Sequence, residues 1–223
     1  MRSSKPLIAL VVVAAMGTLL WAAAEKDVPS GQRMITAAVS FQQALNPDQR
    51  SKAEFAFDDP ERLNWHFIPR ERKGLPLKNL EGNALKAAHG LVQSGLSDAG
   101  YTQALDVMSL EEVLYLIEQG DRQQRRERRD PGKYYLSLFG TPGPQGKWGW
   151  RLEGHHLSLN FVIEDGAVVS STPEFFGANP GYLNAGPGRE IRVLAPEEDL
   201  ARQIVNTSMP DQLKIIWISE KAD

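Results

Sequence analysis

WGWRLEGHHLSLNFVIEDGAVVS, running from Trp148 to Ser170, is the stretch whose reading decides the fold. Asp165-Gly166 stands between two apolar runs, and a two-residue type I′ turn needs positive φ at both central positions, which Asp-Gly supplies. The pattern therefore predicts a hairpin pairing Phe161–Glu164 with Ala167–Ser170. Upstream of it, apolar residues are even-numbered (Trp148, Trp150, Leu152) and then odd-numbered (Leu157, Leu159, Phe161, Ile163). Side chains alternate faces with a period of two, so a change of parity in one continuous strand means an inserted residue. The expectation is a long bulged strand with the bulge at Glu153-Gly154-His155-His156, and with Arg151, Glu153, Ser158 and Asn160 facing outward.

Working outward, Tyr134–Phe139 reads as a short strand closed by the Gly- and Pro-rich loop 140–146, which cannot sit in a ladder. Thr172 to Gly188 is loop-rich, and Phe175-Phe176 is expected to tuck back onto the core. Ile191–Leu194 reads as a short strand, and Pro196-Glu-Glu-Asp as the acidic first turn of a helix with Leu200, Ile204 and Val205 inward. Gln212–Ile218 is apolar and leaves Ile215, Ile216 and Trp217 exposed unless something covers them.

Toward the N-terminus, Met34, Ala37, Ala38, Phe41 and Leu45 recur at helical spacing, and Asn46-Pro47 caps and opens a second helix. The aromatic stretch from Phe55 to Ile68 is expected to form a strand after a turn, with His66 exposed or at an edge. A further helix is expected over Leu80–Val92, with His89 on its flank. Ser109-x-x-Glu112 reads as a capping box with Val113, Leu116 and Ile117 buried behind it. The arginine-rich run from Asp121 to Asp130 reads as a solvated connection. The fold class is α+β: N-terminal helices packed on a mainly antiparallel sheet.

The blocks RDPGKYYLSLFGTPG (129–143), WGWRLEGHHLSLNF (148–161) and TPEFFGANPG (172–181) resemble those of bacterial exported proteins grouped as domain-of-unknown-function family 3500. The resemblance supplies no activity. It implies export, and it implies a longer chain: family members carry a further strand-rich segment with a His-x-His and a Trp-Arg-Asp, which this chain is expected to lack.

Residues 1–24 independently read as a signal peptide, with Arg2 and Lys5 before an apolar core from Leu7 to Leu20 and Ala22-Ala23-Ala24 as the cleavage site. That leaves 25–223 as a single domain, periplasmic or extracellular, with no stable membrane insertion after cleavage. Without Arg2 and Lys5 there are 23 basic residues against 28 acidic, a formal charge of −5. Nothing in that balance favours nucleic acid or an anionic membrane surface. With no cysteine, thiol catalysis, iron–sulfur clusters and Cys-based zinc are excluded.

The Gly154-His155-His156 constellation is where chemistry is expected. Neutral imidazole suits zinc and other transition metals, so His155 and His156 are read as catalytic residues or metal ligands. Glu153 is the first carboxylate to complete the set, with Glu164 and Glu174 next. Trp148 and Trp150 share a strand face and are read as walls of an apolar ligand cleft. Arg129 and Asp130 are read as ligand contacts within the family-like block. Two functions follow: a metal-dependent extracytoplasmic enzyme of hydrolase type, or a non-catalytic protein that binds a small molecule or peptide. A serine hydrolase is disfavoured, since Ser158 and Ser170-Ser171 lack a nucleophile-elbow setting.

Overall fold

The structure is a computed structural model that describes residues 28–219; the expected signal peptide lies outside the described residues. Helix α1 (Ser30–Ala44) buries Met34, Ile35, Ala38 and Phe41 along one face. The Asn46 side chain accepts from the backbone N–H of Gln49, and the Gln49 side chain accepts from the Asn46 backbone. This reciprocal cap opens α2 (Pro47–Ala53). After strand β1 (Glu54–Phe55) the aromatic stretch expected as a strand is instead a 3-10 turn at Pro60–Leu63 followed by irregular chain. Strand β2 (Leu75–Pro76) leads to helices α3 (Gly82–Gly95) and α4 (Asp98–Ile117).

Ser109 does not open a helix. It lies inside α4, whose cap is Ser97 accepting from the Gly100 N–H. The buried stripe of α4 is accordingly Val107, Met108, Glu111, Leu114 and Tyr115, while Leu116 and Ile117 are exposed. The arginine run forms helix α5 (Arg122–Arg128), capped by Asp121. Arg125 donates to the carbonyls of Tyr115 and Glu118, Arg126 pairs with both oxygens of Glu112, and Arg122 reaches the Tyr115 hydroxyl. Cations and donors are thus spent on the carbonyl end of α4, where the helix dipole favours them.

The sheet strands are β3 (Tyr135–Phe139), β4 (Lys147–Gly154), β5 (Leu157–Glu164), β6 (Ala167–Ser170) and β7 (Glu174–Phe176), joined at the β3 edge by β1 and β2. Only β1 runs parallel to its neighbour; the other pairings are antiparallel, so the α+β expectation holds. The Asp165-Gly166 hairpin is present, with φ of 49° and 80° at its two central residues and Glu164 opposite Ala167.

The long bulged strand is not. The chain reverses at His155-His156, and Gly154 pairs with Leu157 across a two-residue turn. The parity switch has a different cause from the one expected. In this hairpin even-numbered residues of β4 face odd-numbered residues of β5, as in Trp148 with Ile163, Trp150 with Phe161 and Leu152 with Leu159. One apolar face therefore reads as two phases. A register shift does occur, farther along, where Val162 pairs with Ser170 and Ile163 with Val168.

The apolar face, with Leu136, Leu138, Trp148, Trp150, Leu152, Leu159 and Phe161, packs with α1, α3 and α4 into one core. The opposite face is buried as well, which corrects the expectation that its polar residues look outward. Arg151, Glu153 and Ser158 are each no more than 1% exposed. Arg151 donates to the carboxylate and carbonyl of Glu61 at 2.7 and 2.8 Å, and Arg72 pairs with Glu153 at 2.7 Å. The segment from 56 to 72 thus lies over a polar sheet face whose charges are paired, as buried charges must be.

Strands β8 (Leu183–Asn184) and β9 (Glu190–Ile191) form a separate two-stranded sheet, before helices α6 (Ala195–Thr207) and α7 (Pro210–Ile216). Leu200, Ile204 and Val205 were expected inward and are exposed, together with Met209, Ile215, Ile216, Trp217 and Ile218. Among the described residues no helix is long and apolar enough to cross a membrane.

Candidate functional site

The turn at His155-His156 is held from three sides. The Tyr134 hydroxyl donates to the His155 carbonyl at 2.9 Å, the His156 N–H donates to the Phe67 carbonyl at 2.7 Å, and the Gly177 N–H donates to the His156 carbonyl at 2.8 Å. Burial pushes the Tyr134 phenol far up, so it stays a donor. His156 sits at φ 59°, the left-handed position that one residue of this reversal takes. The first imidazole is thereby aimed toward α4 and the second is laid against it, ring centroids 4.1 Å apart.

His155 Nδ1 meets the Glu111 carboxylate. A carboxylate only accepts, so Nδ1 carries the proton, and in the neutral form of the ring the lone pair is on Nε2. Arg129 Nη1 lies 3.3 Å from the same Nδ1, but two donors cannot bond. Its role is the Glu111 carboxylate, 3.7 Å away, and Glu118, which takes both Nε and Nη2. Those Arg129 bonds hold the Glu118 carboxyl down at about 2. Glu118, Arg129, Glu111 and His155 form one alternating chain of charge and donor, mostly buried, with the His155 side chain 10% exposed at its outer end.

His156 differs from its neighbour. Burial, with the adjacent His155 ring adding to it, lowers its pKa to about 4, so it is neutral at neutral pH. Its Nδ1 is buried without a partner.

His155 opens on a cleft of about 350 Å³, within the range of small-molecule sites. Glu111, Lys133, Tyr134, Tyr135 and Asp130 line it, and Pro69 to Arg72 form one wall. That wall is fixed by Arg72, which donates to Glu153 and to the carbonyls of His66, Ile68, Arg70 and Gly154. Asp130 is paired with Lys78 and accepts from the Gly132 N–H, which shapes the turn before β3.

The structure brings His155, Arg129 and Asp130 to one place. Glu153 faces away, held by Arg72, the His66 N–H and Arg151. Trp148 and Trp150 are 0% and 1% exposed, packed in the core and not part of the cleft at His155. Among the described residues no three His, Asp or Glu side chains are grouped so as to hold a metal ion. His66 is half-buried with its ring on Asn64, and His89 bonds the Tyr101 hydroxyl between α3 and α4.

Sequence reasoning missed Glu111, Tyr134 and Lys133. Glu111 had a signal: it continues the spacing of Ala104, Val107 and Met108, so it is a carboxylate on a helix's inward stripe. A charge there needs a partner, and the histidine pair supplies one.

An α+β domain with a carboxylate-oriented imidazole at the mouth of a small cleft is the class of protein that fold and site define. The chain belongs to the family described as "Protein of unknown function (DUF3500)", whose model matches residues 28–223. No curated protein and no solved structure matches it.

Proposed function

We propose that the protein is an exported enzyme of hydrolase type in which His155, oriented by Glu111, acts as general base and then general acid on a small molecule in the cleft. The observation that carries this reading is the Glu111–His155 hydrogen bond at Nδ1, which leaves Nε2 without a protein partner beside the cleft. Orientation of an imidazole by a buried carboxylate fixes its tautomer and stabilises the cation formed when Nε2 takes a proton. Among the described residues the cleft lining contains no Ser, Thr or Cys, and the hydroxyl of Tyr134 is spent on the His155 carbonyl, so the base is read as directed at water or at a substrate proton. Arg129 holds Glu111 from behind and is a positioning residue.

The test is a screen of chromogenic esters, phosphoesters and glycosides, run in parallel on the wild-type chain and on His155→Ala. Turnover reduced by about 10²–10⁴-fold in the variant is expected. Equal turnover in both, or a folded wild-type protein that hydrolyses nothing on the panel, removes the reading. Export is supported by the leader-like residues 1–24. Amino-terminal sequencing of protein recovered outside the cytoplasm is expected to start at Glu25, and an intact Met1 there counts against cleavage.

A further inference from the structure

Half of the charged residues that line the cleft are paired, mostly with residues behind it. Arg72 is held by Glu153, Arg128 by Glu118, Asp130 by Lys78, and Glu111 by His155 and Arg129. What remains without an ion pair is Lys133 and Arg70 on the positive side, and Glu71 and Glu127 on the negative. These four differ in depth. Arg70, Glu71 and Glu127 are exposed at the rim, where water and salt screen them. Lys133 is part-buried, and among the described residues its side chain makes no hydrogen bond and no ion pair.

The position of Lys133 is built. Its backbone N–H donates to the Asp130 carbonyl, closing the Asp-Pro-Gly-Lys turn that delivers the chain into β3. The next residue, Tyr134, anchors the His155 carbonyl. Lys133 and His155 therefore line one cleft from two segments joined through Tyr134. A part-buried lysine with no counter-charge of its own is poised to receive one from a ligand.

We infer that Lys133 is the specificity-determining residue of this cleft and that the cleft takes a small molecule bearing an oxyanion, a carboxylate or a phosphate, seated on Lys133 beside His155. This deepens the general-base reading and rests on the same cleft. The anion gives the substrate one fixed point, and Arg70 at the rim adds a second positive charge on the approach.

The experiment is an NMR titration of the histidine Hε1–Cε1 signals in the full chain, with the His155 signal identified from its loss in His155→Gln. Inorganic phosphate and succinate are added separately at constant ionic strength. The His155 signal is expected to move saturably with at least one of them while His89, bonded to Tyr101 between α3 and α4, stays in place. The anion that saturates tells a phosphate-bearing from a carboxylate-bearing ligand. Lys133→Met and Lys133→Gln are expected to weaken that binding by at least tenfold, and Lys133→Arg to restore it to within about threefold, a single point charge being retained. A wild-type His155 signal that responds to neither anion overturns the proposal, and so does equal binding by Lys133→Met or Lys133→Gln. The base reading is judged separately by the ¹⁵N shifts of the ring. A lone pair found on Nδ1 sinks that reading whatever the anions do.

Discussion

His156 makes the cost of this arrangement measurable. Its imidazole is packed against that of His155 and close to Glu111 and Arg129, and its pKa falls to about 4 chiefly through burial. A histidine depressed in the folded state binds its proton more readily when unfolded, so stability from this group is fully present above about pH 6.5 and is lost as pH falls toward 4. The full shift corresponds to about 3 kcal/mol, and the ring's partial exposure to solvent reduces that to about 1–2 kcal/mol. Glu118, held down to about 2 by Arg129, keeps its full contribution only down to about pH 5 and loses it as pH falls from there toward 2. His156→Asn removes the titrating ring while tolerating φ 59°, since Asn enters the left-handed region more easily than most residues. Urea unfolding at pH 7.5 and 4.5 is expected to show a drop smaller by about 1–2 kcal/mol in this variant than in the wild type. An identical drop would mean that the ring titrates normally.

At the scale of elements, the two hairpins separate what is local from what is not. A Cβ at Gly166 would meet only the Pro144 carbonyl at 3.7 Å, so Gly166→Ala is charged only for its positive φ, about 1 kcal/mol. A Cβ at Gly154 would collide with the face of the Tyr134 ring. Gly154→Ala is expected to cost about 1–3 kcal/mol by overpacking and to loosen the Tyr134 bond to the His155 carbonyl; thermal melts of the two variants side by side check the ranking. The same contrast explains what could be read in advance. Asp165-Gly166 announces its turn by residue type. His155-His156 contains no turn former, and its reversal depends on Tyr134, Phe67 and Gly177 reaching in from other segments. Parity alone could not decide, because an inserted residue and a two-residue turn shift the phase alike. Length could have decided, since seventeen extended residues from Trp148 to Glu164 span about 56 Å at roughly 3.3 Å each, well beyond an ordinary strand of 3–10 residues. The helix-capping signal at Asn46 was legible for the same local reason as Asp-Gly. Glu111 was hidden because Ser109 offered a competing start inside a helix already under way.

For the molecule as a whole, sequence periodicity was enough to place the helices against the apolar sheet face, because that core is built from repeating nonpolar positions. The second buried face was not readable, since Arg151, Glu153 and Ser158 look like surface residues until Glu61 and Arg72 are brought over them. The same periodicity misled at α6 and α7, where a stripe suited to burial stays bare, Ile215 at 80% and Ile218 at 97% exposure. Nonpolar area of that extent governs handling in solution more than folding. The purified chain is expected to enhance the fluorescence of anilinonaphthalene sulfonate at neutral pH without denaturant, and to bind a phenyl column in ammonium sulfate. Ile215→Lys with Ile218→Lys should weaken both while leaving the melting curve in place, as surface changes shift stability by only about 0.5 kcal/mol. Dye fluorescence unchanged in that variant would mean the greasy patch lies elsewhere.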